Sequence, residues 1–326
     1  MLLLVVVVGL ALAFDFTNGF HDTANAVATS VSTRALQPRT AVALAASGNL
    51  LGAFLSTAVA TTIGTDLLRV EAEAGLRVLA AGCAGAIVWN LITWWMGLPS
   101  SSSYALIGGL VGGAIAAHTA SVDWSAIGWR VLVPALVAPV LGFGAAFATM
   151  AVVHATTRTA RPAAANRGFR VAQVGAGGLM AFAHGANDAQ KTMGVIGLAL
   201  VLGGERATFG VPLWVKLAAA AMLALGTYAG GWRIMRTLGA RVYRLDPPHG
   251  FAAQASATGV LFAAAGAGLP VSSTHVITGA VFGAGSAGRA GRVRWSLGVD
   301  ILVAWIVTLP AAGLIAALAY IPFALA

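Results

Sequence analysis

Long apolar stretches, separated by short polar segments, constrain the fold of this chain more than any other feature. The polar segments fall near residues 34–39, 65–77, 118–130, 154–170, 204–216, 232–250 and 289–294. A helix of about 20 apolar residues crosses the roughly 30 Å hydrocarbon core of a bilayer, and the stretches are long enough to do so. Only 9% of the residues are charged, which leaves too little polar surface for a soluble protein. Because backbone groups in lipid must be satisfied within the chain, we expect an all-α integral membrane protein.

Four of the apolar stretches carry further signals. Two are too long for a single crossing and contain a Gly-Leu-Pro break, at residues 78–117 and 251–288. We predict that each forms a helical hairpin that returns to its own side. Two others contain clusters of polar residues, at 2–33 and 171–203, and for these we predict interrupted helices.

The distribution of basic residues predicts the orientation in the membrane. If the first stretch crosses once, thirteen of the 19 Lys and Arg residues lie on one side, in segments 34–39, 158–170, 233–244 and 289–294. Five lie on the other side, and Lys191 lies within a membrane segment. Since positively charged loops face the cytoplasm, we predict a multi-pass protein of the inner (plasma) membrane with both termini outside. The net charge of +9 is explained in this way, and we expect no nucleic-acid binding.

The sequence contains an internal repeat that is visible in two pairs of motifs. Residues 19–25 read Gly-Phe-His-Asp-Thr-Ala-Asn and align with 185–191, which read Gly-Ala-Asn-Asp-Ala-Gln-Lys. Residues 97–103 read Gly-Leu-Pro-Ser-Ser-Ser-Ser and align with 268–274, which read Gly-Leu-Pro-Val-Ser-Ser-Thr. The offset between the copies is nearly the same for the two pairs, which argues against chance similarity.

The predicted topology starts the first copy outside and the second copy inside. We therefore expect an inverted-topology repeat, which is the architecture of many secondary transporters. The predicted boundaries are 1–155 for the first repeat, 156–170 for a cytoplasmic linker and 171–326 for the second repeat.

Asp22 and Asp188 occupy equivalent positions in the two copies. A charge at mid-membrane costs about 2.5–3.5 kcal/mol on insertion scales, and such groups usually line a path for an ion or a substrate. On a helix, Asn25 shares a face with Asp22, and Lys191 shares a face with Asp188. Carboxylate and amide oxygens suit sodium or a proton, whereas amide, hydroxyl and ammonium donors suit an oxyanion. The pattern leaves two options for Lys191, which could neutralise phosphate or pair with an Asp.

Two runs of hydroxyl residues follow the prolines of the predicted hairpins. Ser100–Ser103 and Ser272–Thr274 are suited to cap the first turn of a helix. We expect both runs to open half-helices at membrane depth. A helix N-terminus is an anion site, so two facing N-termini could hold a tetrahedral oxyanion, although ordinary capping would explain either run alone.

Other residues point to chemistry less clearly. Asp15 and Asp300 lie in or near membrane segments, where each is either a proton-relay group or a helix-end residue. Cys83 is the one cysteine, no Cys/His spacing is typical of a metal site, and no nucleotide-binding or hydrolase motif is present. We therefore expect no enzyme, no resident metal and no cofactor apart from a coupling cation.

Both motif pairs resemble the signatures of one family, the inorganic phosphate transporter (PiT) family. Residues 14–26 resemble its first signature and residues 184–191 resemble its second. Pro99–Tyr104 and Pro270–His275 resemble its paired Pro-Ser/Thr motifs. The resemblance covers nearly the whole chain, and the short 154–170 loop is similar to that of a minimal bacterial form.

The resemblance implies an α-helical inverted repeat that binds phosphate near the membrane midplane, forms a homodimer and couples uptake to a cation. With the patterns described above, it assigns a set of residues to phosphate binding: Ser101, Ser102, Ser103, Ser272, Ser273, Thr274, Gln190 and Lys191. It assigns a second set to cation coupling: Asp22, Asn25, Asn187 and Asp188.

Two departures from the family pattern bear on the coupling ion. His21 precedes Asp22 where sodium-coupled members commonly have Asn, and Tyr104 stands where the second copy has His275. Because histidine is the residue type suited to gain and lose a proton in the physiological pH range, we favour proton coupling, with His21 and Asp15 as candidate proton relays. Sodium coupling and transport of a metal-phosphate complex remain alternatives. A sulfate or other oxyanion permease of the same superfamily is also open, as is a channel.

Overall fold

A computed structural model describes residues 1–70, 72–118, 121–159, 161–243, 245–289 and 293–325. Two arginines of the predicted cytoplasmic loops, Arg244 and Arg292, lie outside these residues. The first half comprises α1 (Leu2–Ser32), α2 (Pro38–Gly52), α3 (Ala58–Thr61), α4 (Ala72–Met96), α5 (Ser102–Ala117), α6 (Trp124–Ala126) and α7 (Val133–Thr156). The second half comprises α8 (Pro162–Leu202), α9 (Leu213–Ala229), α10 (Trp232–Arg236), α11 (Pro247–Gly266), α12 (Ser273–Arg289) and α13 (Trp295–Leu325).

Short π-helical turns extend three of these helices, at Thr62–Asp66, Ile127–Leu132 and Thr237–Arg241. A two-stranded antiparallel sheet joins β1 (Leu68–Arg69) to β2 (Ser121–Val122). The described residues are otherwise helices and their connections. This architecture confirms the predicted fold class, an all-α inverted-topology repeat with two helical hairpins.

Several helices are long and apolar enough to cross a bilayer. Four such spans occur among the described residues: Leu2–Ser32, Ala74–Met96, Trp124–Thr156 and Trp295–Leu325. A fifth is formed if Leu213–Ala229 and Trp232–Gly239, which meet at a bend of 58°, are taken as one broken span. The chain is therefore an integral membrane protein, as its hydropathy predicts.

The same turn closes both predicted hairpins, α4–α5 and α11–α12. Gly97 and Gly268 follow the first helix of each hairpin with φ values of +70° and +68°, a region that glycine enters without a steric penalty. The next residue, Leu98 or Leu269, donates its N–H back to the carbonyl five residues earlier, at 3.0 and 2.9 Å. This is the Schellman arrangement, and it explains why a Gly-Leu-Pro sequence ends a helix in both copies.

The prediction of interrupted helices at 2–33 and 171–203 was wrong in its location, because the broken span among the described residues is Leu213–Ala229 with Trp232–Gly239. Helix α1 is continuous from Leu2 to Ser32, and α8 is continuous from Pro162 to Leu202. Several of their polar side chains, including His21 and Asp188, find partners on neighbouring helices, so the backbone hydrogen bonds need not open around them. Helix α8 also begins inside the predicted 156–170 linker, because Pro162 is suited to a first helical turn.

Helices of each half pack against helices of the other half. Helix α1 packs on α9, and its counterpart α8 packs on α2. The last helix of each half packs on the hairpin of the other half, so α13 lies against α4 and α5 while α7 lies against α11 and α12. Glycines allow this close approach: a Cβ on Gly112 would overlap the Gly313 carbonyl, and one on Gly283 would overlap that of Phe143. These glycines therefore pack the helices of the two halves together.

Candidate substrate and cation site

The central feature of the interior is a group of three buried side chains from α1 and α8. Asp22, His184 and Asp188 each offer one atom that could bind a metal ion, and these atoms lie within 4.8 Å of one another. His184 Nε2 lies 2.8 Å from Asp188 Oδ2, one helical turn away. The acids that the sequence repeat relates by alignment are therefore neighbours in space, and the three groups are close enough to share one cation.

Lys191 is completely buried beside this group. Its ammonium forms an ion pair with the Asp188 carboxylate and donates to Ser103 Oγ. It also donates to the Val271 carbonyl at 3.2 Å. An ammonium has three N–H donors, and all three have protein acceptors. Of the two options that the sequence left open, the structure favours pairing with an Asp over direct contact with phosphate.

The two runs of hydroxyl residues lie at the tips of the hairpins, where α5 and α12 begin. Ser101 accepts a hydrogen bond from the Tyr104 N–H at 3.2 Å, and Ser272 accepts one from the His275 N–H at 3.3 Å. Both runs thus cap helix N-termini, as expected. The tips also meet, since Ser103 Oγ donates to the Val271 carbonyl at 3.4 Å. Two helix N-termini, each with a positive dipole end, converge on one buried region.

The second hairpin contacts both acids. Ser273 Oγ donates to Asp188 Oδ2 at 3.2 Å, and Thr274 Oγ1 donates to Asp22 Oδ1 at 3.3 Å. Asn25 donates to Thr274 Oγ1 at 2.9 Å and to Ser273 Oγ at 3.3 Å. The structure therefore brings four predicted site residues of different motifs into one network with Asp22.

The first hairpin reaches the site through His21. His21 Nδ1 lies 2.8 Å from Asp22 Oδ1 and 3.4 Å from Ser102 Oγ. Its Nε2 lies 3.1 Å from Thr93 Oγ1 and 3.3 Å from Ser100 Oγ. His21 thus connects an acid of the core to the hydroxyl groups of the hairpin tip, which is a suitable place for a group that passes a proton.

Two predicted site residues lie at the edge of this network. Gln190 Oε1 accepts hydrogen bonds from the N–H groups of Val59 at 2.8 Å and Ala60 at 3.3 Å, so it caps α3. Asn187 Nδ2 donates to the Leu269 carbonyl at 3.4 Å, while its oxygen has no partner. Gln190 is therefore occupied by a structural contact, whereas Asn187 keeps an available oxygen.

Asp15 lies in α1 and is fully buried. The side chains of Thr192 and Asn18 lie beside its carboxylate, and Asp188 and Lys191 act on it electrostatically. A charge on a fully buried acid is costly, which is compatible with the predicted relay role. Asp300, in contrast, is exposed at the first turns of α13.

His184 is a site residue that the sequence analysis did not assign. Its Nδ1 lies 2.9 Å from Asn49 Oδ1, and Asn49 in turn donates to Thr227 Oγ1 at 2.8 Å. The spacing of four residues between His184 and Asp188 places both on one helix face, so this signal was present in the sequence. No sequence signal identifies Thr93 or Asn49, because their partners lie 72 and 135 residues away.

Tyr104 and His275, the aligned positions that differ between the two hairpins, are in contact. Their ring centroids are 4.9 Å apart, and His275 stacks on Trp305 at 3.7 Å. The Tyr104 hydroxyl lies against the backbone of Ser272, and the His275 ring lies against the backbone of Ala135. The departure from internal symmetry thus falls where the two hairpins face each other.

An inverted repeat of helices around a buried site of acids, hydroxyls and helix N-termini is an architecture typical of membrane transporters. A model described as "Phosphate transporter family" matches residues 18–316. The chain belongs to this family and is a phosphate transporter rather than an enzyme, which confirms the resemblance found in its motifs.

Similar proteins agree with this assignment. A "Probable low-affinity inorganic phosphate transporter" of Mycobacterium bovis is 50% identical, over 98% of this chain and 77% of the relative. A relative of the same description from Bacillus subtilis is 41% identical, over 98% of this chain and 97% of the relative. A solved structure titled "The sodium-dependent phosphate transporter" covers 100% of both chains with a TM-score of 0.89 and 23% identity, which confirms the fold.

Proposed function

We propose that the protein imports inorganic phosphate by proton symport across the plasma membrane, with phosphate bound between the two hairpin tips. The observation that carries this proposal is the contact of His21 with Asp22 at 2.8 Å and with the hydroxyls of Thr93 and Ser100. It joins an imidazole, which can accept and donate a proton, to the predicted anion site.

Phosphate is assigned to Ser101–Ser103 and Ser272–Thr274, at the N-termini of α5 and α12. Free N–H groups and hydroxyls at two converging helix N-termini provide donors for a tetrahedral oxyanion. Lys191 contributes positive charge nearby. Asp22, Asn25, Asn187 and Asp188 serve the coupling cation, and Asp15 is a second proton carrier.

A cation is required for electrostatic reasons. Phosphate near Asp22 would repel that carboxylate by several kcal/mol at about 4 Å and an effective dielectric of about 20. A proton held by the His21–Asp22 pair would remove this repulsion. Uptake of phosphate would then require, and be driven by, the entry of a proton.

Sodium is the second candidate for the coupling ion. The solved structure that shares this fold is titled sodium-dependent. The donor atoms of Asp22, His184 and Asp188 are also close enough to share a metal ion, and a metal-phosphate complex would bring its own cation. The homodimer and the placement of both termini outside complete the proposal, and they rest on the family resemblance and on the loop charges.

Uptake of labelled phosphate into proteoliposomes, with proton and sodium gradients imposed separately, tests the proposal. We expect accumulation that rises as the external pH falls, persists without sodium and collapses with a protonophore. An excess of unlabelled sulfate should not compete. Uptake that strictly requires a sodium gradient and ignores the protonophore would replace the proton by sodium and leave phosphate as the substrate.

A further inference from the structure

Lys191 stands in the second repeat at the position that Asn25 occupies in the first. The contacts of the two side chains follow the same symmetry. Lys191 donates to Ser103, at the start of α5, and Asn25 donates to Thr274, at the start of α12. Ser103 and Thr274 are themselves aligned positions of the two hairpins. The repeat therefore builds the same pocket twice and fills the two copies differently.

The ligands of the Lys191 ammonium are the kind that a small cation would take. They are a carboxylate, a hydroxyl and a backbone carbonyl, from Asp188, Ser103 and Val271. Oxygen ligands of this type suit hard cations. The ammonium is completely buried among them, so it fills the place and supplies the charge of an ion.

The acid of the first repeat has no such resident. Asp22 lies next to His21 and accepts a hydrogen bond from Thr274. Within the described part of the chain, no Lys or Arg forms an ion pair with it. Asn25, the counterpart of Lys191, is neutral. The two aligned acids thus differ in their counter-charge: Asp188 pairs with a lysine of the protein itself, whereas Asp22 has no such partner among the described residues.

We propose that the Lys191 ammonium is a built-in cation that fills the second of two repeat-related cation positions, so that one exchangeable cation, at Asp22, accompanies each phosphate. The inference rests on the proposed cation-coupled uptake and specifies its stoichiometry. Asp188 and Lys191 together carry no net charge, and only the charge of Asp22 needs compensation when phosphate binds. A transporter with an exchangeable ion at both positions would move one cation more.

Two reciprocal substitutions test the assignment. Lys191→Asn copies the first repeat into the second and should add one cation to each transport cycle. Asn25→Lys copies the second repeat into the first and should remove one. Lys191→Arg keeps the charge and serves as the matched control, for which the wild-type number is expected.

The number of coupled cations is measured in proteoliposomes at zero membrane potential, as the phosphate gradient that just balances an imposed cation gradient. A tenfold cation gradient sustains a certain phosphate gradient at balance. With one more cation per cycle, the phosphate gradient at balance is larger by about tenfold. We expect Lys191→Asn to shift the balance by that factor in one direction and Asn25→Lys to shift it in the other. Either variant decides the question if the other does not fold.

The results separate failure of this inference from failure of the proposed function. If the wild type does not accumulate phosphate against any cation gradient, cation coupling itself is wrong. If the wild type is coupled and either folded variant keeps the wild-type balance point, Lys191 is not a substitute cation. If a folded variant binds phosphate but does not transport it, its phosphate affinity is measured at low and at saturating cation. The affinity of Lys191→Asn should then change with cation by about tenfold more than that of the wild type. Unchanged binding there also overturns the inference.

Discussion

Thr274, at the start of α12, donates a hydrogen bond to Asp22 on α1 at 3.3 Å, although 252 residues separate them. The reciprocal contact joins Lys191 on α8 to Ser103 at the start of α5. Each hairpin tip is thus hydrogen-bonded to the signature helix of the opposite half, that is, to α1 or α8, which carry the two family signatures. A ligand held between the tips would contact both halves at once. A substrate that is released when the halves move apart must bind in such a position.

Removing the charge of Asp22 should uncouple transport. We expect Asp22→Asn to abolish phosphate accumulation driven by a cation gradient, because this carboxylate has no lysine or arginine ion pair among the described residues and is the proposed site of the coupling cation. Accumulation in proteoliposomes is the measurement. Asp300→Asn, which changes an exposed acid, is the control and should transport normally. Normal accumulation by Asp22→Asn would make that acid structural.

Asp188→Asn should have a different primary effect, on stability. The substitution leaves the Lys191 ammonium buried without its carboxylate. Breaking a buried pair from one side costs about 3–5 kcal/mol. Thermal unfolding in detergent should therefore show a clear loss for Asp188→Asn and a smaller one for Asp22→Asn. Equal losses would argue against the ion pair.

The glycine contacts between α12 and α7 predict a steric effect. A Cβ on Gly283 would overlap the Phe143 carbonyl, whereas one on Gly259, in α11, would meet nothing within 4 Å. We expect Gly283→Ala to destabilise the protein by about 1–3 kcal/mol and Gly259→Ala to be neutral or slightly stabilising. Unfolding temperatures of the two variants, measured side by side, check this. Indistinguishable values would contradict the packing.

The loop charges predict which side of the membrane the polar segments face. Single cysteines introduced within 158–170 and 233–244 should resist an impermeant thiol reagent added to intact cells, and they should react after the cells are opened. Cys83 is buried, and Cys83→Ala removes it as a background signal. Ready labelling of both segments in intact cells would reverse the orientation.

The sequence predicted the parts of the fold that are specified locally. The Gly-Leu-Pro turns at Gly97 and Gly268 place a left-handed residue and a proline where a helix must end, and these signals do not depend on distant partners. The alignment of Asp22 with Asp188 predicted that both acids belong to one site. Repeated sequence is direct evidence of repeated structure, so the two hairpins and the two signature helices could be assigned together.

The sequence could not predict features that depend on contacts between distant segments. The polar residues of α1 looked like a break in the helix, but Thr274 and Thr93 satisfy Asp22 and His21 from other helices. The role of Lys191 was undecided for the same reason, since two of its three acceptors lie in the hairpins. Gln190 was predicted to bind phosphate, but its Oε1 accepts a hydrogen bond from the N-terminus of α3.

The close contact between Gly112 and Gly313 joins the hairpin of the first half to the last helix of the second, and Gly283 and Phe143 join the reverse pair. A unit of packing therefore does not coincide with a unit of sequence. Either half alone would contain a hairpin without the helix that covers it and a last helix without the hairpin on which it packs. Each half therefore depends on the other to bury both of these surfaces.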